Sequence, residues 1–365
     1  MTVPPHVPGT RHPERPPASQ RPSAPGTEPP AQATGAVSAS ERAGAPPPPP
    51  FDPEVAAVLD TFDAAMRSPV LPETIPVLRA APRIPPPTLD ELSRGGAFRV
   101  EERVVPGPAG EPGITLLICR PATASAPTAA VYHIHGGGMI IGDRRTGITS
   151  MLDWAEELEL AVVSVEYRLA PEHPYPAPVE DCYAGLCWTA AHAEELGIDP
   201  ARVVLAGASA GGGLAAGVAL LARDRGGPAL AGQLLMGPML DDRDDTPSSR
   251  QMAGLGTWDR TSNRTGWEAL LGARRGGPDV PAYAAPARAE DLAGLPPAFI
   301  DVGSAETFRD EDVAYAARLW LAGGSAELHV WPGACHGFDL LMPRAALSRE
   351  AGAARLHWLR RLLRP

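Results

Sequence analysis

From residue 98 to residue 362, short runs rich in Val, Ile and Leu alternate with longer stretches of helical period. The runs at 98–105, 114–120, 130–135, 161–167, 202–206, 233–239, 298–302 and 327–331 read as strands. The stretches at 146–158, 179–193, 212–223, 313–321 and 344–362 read as helices. Near-continuous apolar runs, rather than alternating ones, belong to strands covered on both faces, which means a mostly parallel sheet with helices on either side. Right-handed crossovers then bring the C-terminal strand ends to one edge, where open α/β sheets hold their sites. The predicted fold class is α/β.

Residues 1–50 stand apart, with fifteen prolines and no Leu, Ile, Phe, Tyr or Trp. Such a segment cannot bury enough apolar surface to offset its ordering entropy. It reads as a disordered tail, partly polyproline II, ending in the run Pro46 to Pro50, with a docking arm for an SH3-like partner as the functional alternative. The domain is expected over 51–365. Val55, Val58, Leu59, Phe62 and Met66 predict a helix over 53–67, followed by a Pro-broken connection at 69–88. Residues 241–290 contain no strand-like run and carry Trp258 and Trp267. They are expected to form a helical cap over the strand edge together with 51–95. The two tryptophans either line a pocket or form the cap's own small core.

Composition removes several function classes. All 32 cationic side chains are Arg, so a Schiff-base lysine and a P-loop lysine are both excluded. A formal charge of −11 argues against nucleic-acid binding, which needs a basic face. Cys119, Cys182, Cys187 and Cys335 form no C-x-x-C pair and are expected as free, largely buried thiols. No run reaches the roughly 18 apolar residues of a membrane span, and no secretory leader is recognisable, so a cytoplasmic location is the default expectation.

Residues 207–211 read Gly-Ala-Ser-Ala-Gly, directly after a strand run and directly before a helical one. G-x-S-x-G carries a nucleophile only in that strand–turn–helix context, because the sharp turn lifts the serine to the sheet edge. Ser209 is the candidate nucleophile; the alternative is a serine that merely caps the helix. Residues 133–138 read His-Ile-His-Gly-Gly-Gly after another strand run. Side-chain-free N–H groups suit the oxyanion of an acyl-transfer intermediate, and Gly137, Gly138 and Ala210 are the candidate donors. A phosphate loop is the alternative, weakened by the lack of G-x-G-x-x-G spacing and of lysine. His135 reads as a residue that positions this loop. A serine nucleophile needs a base held by a carboxylate, in the chain order Ser, acid, His. His336 follows the last strand in a loop flanked by Gly333 and Gly337, whereas His329 lies in a strand and His357 on the final helix. The acid is expected after the 298–302 strand: Glu306 first, with Asp310 and Asp301 as alternatives.

Four motifs together resemble the hormone-sensitive-lipase-like family of α/β-hydrolases, which are bacterial carboxylesterases. They are His135-Gly136-Gly137-Gly138, the run Tyr167 to Glu172, Gly207 to Gly212, and Glu306 to Glu311 with His336-Gly337-Phe338. The resemblance covers about 95–345. It implies an α/β-hydrolase fold, a Ser209–His336–Glu306 triad, the three oxyanion donors above, and hydrolysis of small esters without metal or organic cofactor. Two departures stand out. Ala208 occupies a place the family usually gives to Asp or Thr, and the family's Asp-Pro-Leu-Arg-Asp-Glu becomes Glu306-Thr307-Phe308-Arg309-Asp310-Glu311. The same triad also serves lactone opening or natural-product deacetylation. Remoter readings are a non-catalytic ligand receptor, an acyltransferase and an eliminase. The expected partner is a small-molecule ester, with no nucleic acid and no membrane span; a homodimer is compatible with this reading.

Overall fold

The computed structural model describes residues 1–2, 46–124 and 127–364. The expected disordered tail therefore falls mostly outside the described residues, and Pro46–Pro50 enters the domain without helix or strand.

Eight strands form one sheet: β1 (Phe98–Val105), β2 (Ile114–Pro121), β3 (Thr128–Ile134), β4 (Ala161–Glu166), β5 (Ile198–Ala208), β6 (Gly232–Met236), β7 (Ala298–Gly303) and β8 (Ala326–Trp331). Their order is β1-β2-β4-β3-β5-β6-β7-β8. β2 runs antiparallel to both β1 and β4, and every other pair is parallel. The parallel strands read as unbroken apolar runs because both faces are covered.

Side-chain alternation divides the core into two layers. On one face, Ala130, Tyr132 and Ile134 of β3 pack in the cluster that includes Leu186, Leu214, Val218 and Tyr315. These come from helices α6 (Ala177–Ala191), α8 (Ala210–Asp224) and α11 (Arg309–Leu321). On the other face, Val131 packs in the cluster of Met151, Trp154, Trp358 and Leu359, from α5 (Ile148–Leu158) and α13 (Ala346–Leu362).

The remaining helices are α1 (Pro53–Thr61), α2 (Ala64–Arg67), α3 (Ile75–Ala80), α4 (Leu89–Ser93), α7 (Ala193–Leu196), α9 (Pro247–Gln251), α10 (Arg260–Leu271) and α12 (Phe338–Leu341). The single helix expected over 53–67 is two. Phe62 turns to an extended conformation, and the Asp63 side chain caps α2 by accepting from the Met66 N–H at 2.9 Å. The 241–290 segment has no strand and supplies α9 and α10. α1 packs against Ala334, Cys335, Phe338 and Met342 and so supports the loop that carries His336. Among the described residues no helix is long and apolar enough to cross a membrane.

Candidate active site

Ser209 stands between the last residue of β5 and the first of α8, at φ +58° and ψ −126°. This backbone region is nearly closed to a residue with a Cβ and persists only where its surroundings over-determine it. Here they do so through three hydrogen bonds. The Ser209 N–H donates to Met236 O at 2.8 Å, and the Ser209 carbonyl accepts from Gly213 and Met239 at 3.0 and 2.9 Å. A Cβ on Gly211 would lie 2.0 Å from Ile134 O, so α8 can start against β3 only with glycine there. The serine is 9% exposed at the wall of a cavity of about 250 Å³ at the C-terminal strand edge.

The glycine loop after β3 reaches the same cavity. Gly137 has φ +112°, and a Cβ there would meet Ile141 O at 2.1 Å. No acceptor among the described residues takes the N–H of Gly137 or Gly138. The N–H of Ala210, first residue of α8, belongs to the orphan donors of a helix start. His135 is fully buried away from this wall and stacks on Tyr167 at 4.1 Å, and the Tyr167 hydroxyl donates to His135 O at 2.9 Å. Burial lowers the His135 pKa. It braces the loop, as the sequence suggested.

His336 lines the cavity from the loop after β8. Its Nδ1 lies 2.9 Å from Glu306 Oε1, and Glu306 Oε2 accepts from the Gly303 N–H at 2.8 Å. Nδ1 therefore carries the proton and Nε2 is left as the acceptor. Phe308 meets the imidazole edge-on at 5.0 Å. The Ser209 hydroxyl and His336 share the cavity without a hydrogen bond between them. The other two carboxylates weighed for the acid are engaged elsewhere. Asp310 accepts from the Ser248 N–H and from Arg309, while Asp301 accepts from Trp331 and Arg355. His329 stacks between Phe299 and Trp331 in β8.

The two tryptophans divide. Trp258 joins the cavity wall, where a Cβ on Gly138 would come within 2.5 Å of its ring, whereas Trp267 is wholly buried in the core. Trp258 O accepts from Thr307 at 2.8 Å, and the adjacent Thr257 hydroxyl donates to His336 O. One short segment thus ties the loop of Glu306 to the loop of His336. Met66, Val70, Arg83 and Ile84 add a wall from the stretch before β1. Sequence reasoning placed 51–95 in the cap and Met66 in a helical pattern but singled out none of the four as cavity lining, because 69–88 is broken by prolines and shows no period to follow. All four cysteines are free, and Cys335 beside His336 is buried, its thiol pushed up to about 12 by burial. Among the described residues no group of His, Cys, Asp or Glu is arranged to hold a metal ion.

A strained serine at a strand–helix turn, a bare-amide loop and a carboxylate-held histidine, all at one sheet edge, define an α/β hydrolase. Residues 131–340 match the family described as the α/β hydrolase fold. The chain is 38% identical over 320 residues to Carboxylesterase NlhH of Mycobacterium tuberculosis, covering 84% of this chain and 96% of that protein. A 103-residue stretch is 41% identical to hormone-sensitive lipase of Mus musculus, covering 28% of this chain and 14% of the lipase. Among solved structures, a bacterial heroin esterase superposes with a TM-score of 0.77 at 40% identity, over 86% of this chain and 98% of that one. The chain belongs to the hormone-sensitive-lipase-like family of α/β-hydrolase carboxylesterases.

Proposed function

We propose that the chain, a carboxylic ester hydrolase by its family, cleaves small esters with Ser209 as nucleophile, His336 as base and Glu306 as the orienting acid. The observation that carries this reading is the 2.9 Å contact between His336 Nδ1 and Glu306, beside the strained Ser209 in one cavity. With Nδ1–H held by the carboxylate, Nε2 takes the Ser209 proton as Oγ attacks the ester carbonyl. The N–H groups of Gly137, Gly138 and Ala210 receive the oxyanion. His336 then protonates the leaving alcohol, and water activated by the same imidazole releases the acid from Ser209. Phe308 and Trp258 keep bulk water from the reacting atoms, and elements from about 51–95 and 241–290 act as the cap.

Ser209→Ala is expected to fold and to turn over p-nitrophenyl butyrate at the background rate; substantial turnover in that variant sinks the mechanism. A p-nitrophenyl chain-length series run beside a lactone panel sets the substrate class.

A further inference from the structure

Two cations stand in the cavity wall, Arg83 and Arg355. Arg355 is neutralised by Asp301 and Asp339. Arg83 is not. Among the described residues it forms no ion pair, and its one hydrogen bond runs from Nη2 to Ser68 O at 2.8 Å. Its Nε is buried without an acceptor. The side chain is partly buried at the wall that Met66, Val70 and Ile84 also line, where lost hydration costs a cation, and Asp63 attracts it without forming an ion pair. The carboxylates of the wall are already committed: Glu306 to His336 and Gly303, Asp301 and Asp339 to Arg355.

Resting on the esterase reading above, we infer that Arg83 is a specificity residue that receives an anionic carboxylate carried by the ester, away from the scissile carbonyl. A planar guanidinium with free N–H groups matches a carboxylate in two parallel hydrogen bonds, and the greasy surroundings strengthen the pair. The protein's formal charge of −11 repels anions at long range, so a wall cation whose attracting carboxylate, Asp63, forms no ion pair with it stands out as the place where a negative group is stabilised. The substrate class is thus an acid ester: a half-ester of a dicarboxylic acid, or an ester of a hydroxy acid.

The test uses the full chain and two matched pairs. Mono-p-nitrophenyl adipate and its methyl diester place or remove the charge on the acyl side, read by p-nitrophenolate release. 4-Carboxyphenyl butyrate and 4-carbamoylphenyl butyrate do so on the alcohol side. In at least one pair the ratio of kcat/KM, anionic over neutral, is expected to fall roughly tenfold in Arg83→Met, the size of a lost charge-assisted hydrogen bond. Arg83→Lys, which keeps the charge but not the fork, is expected to recover part of it. If both ratios in Arg83→Met equal those of the wild type, the inference is wrong. Equal losses on both members of each pair also overturn it, leaving Arg83 only the tie to Ser68. Wild-type turnover of p-nitrophenyl butyrate is measured alongside, because its absence would sink the esterase reading itself.

Discussion

Glu306 illustrates how much a single carboxylate depends on its two oxygens. One holds the imidazole of His336 and the other the Gly303 N–H, so neither is free to turn. Glu306→Gln keeps the shape but offers the imidazole an amide, which no longer fixes its tautomer. A loss of about 10³–10⁴ in kcat with little change in KM is expected from steady-state kinetics. Asp312 is the opposite case. It is wholly buried on α11, both its oxygens lack a hydrogen-bond partner, and burial pushes its pKa well above the usual carboxylate range. A raised folded pKa means the folded state binds the extra proton, so this group's contribution falls as pH rises above the unfolded value near 4. Asp312→Asn removes that dependence. Urea titrations are expected to show a stabilisation on the order of 2 kcal/mol at pH 8 that fades below about pH 4. The sequence reading expected an acid after the 298–302 strand and ranked Glu306 first, but spacing alone left Asp310, one turn later, and Asp301, within the strand, standing. Only their partners, Ser248 and Arg309 for one, Trp331 and Arg355 for the other, show how differently they are employed.

The strands and the main helices were legible because each is an apolar run or a long periodic stretch. Elements whose bounds depend on distant partners were not. β5 begins at Ile198, earlier than its apolar run, because Thr128 pairs with Ile198 across a register shift in β3. β6 ends at Met236 because Gly237 adopts φ +48°, although the apolar run continues to Met239. The stretch before β1 is held by contacts no local pattern announces. Arg79 of α3 donates to Ile140 O and Ala170 O, both at 2.7 Å, and pairs with Glu172. One side chain therefore pins the cap segment to the loops after β3 and β4. Arg79→Met is expected to raise KM several-fold with a smaller change in kcat. Limited proteolysis should then cut first within residues 64–97, and unchanged cleavage sites would refute that role.

For the molecule as a whole, two neutral histidines sit beneath the site. His133 Nδ1 is 2.9 Å from Ser164 Oγ, whose own proton goes to Arg144 O, so Nδ1 is the donor. Burial, and then the nearby His135, lower its pKa to about 3. A histidine depressed in the folded state takes up protons on unfolding, so its contribution is lost as pH falls from about 6.5 towards 3. His133→Asn keeps an N–H toward Ser164 without the titration. The stability difference between wild type and variant is expected to shift in the variant's favour by up to about 1.4 kcal/mol per pH unit across that window. A difference independent of pH would show that folding leaves the His133 pKa unshifted.

The wall built by Met66, Val70, Arg83 and Ile84 is encoded entirely upstream of β1, whereas the serine, histidine and glutamate all follow β3. Part of the cavity wall is thus written well upstream of the residues proposed to break the bond, and Trp258 completes it from downstream. A graft confined to residues 64–84 would alter what enters the cavity while leaving in place α1, whose packing supports the loop of His336.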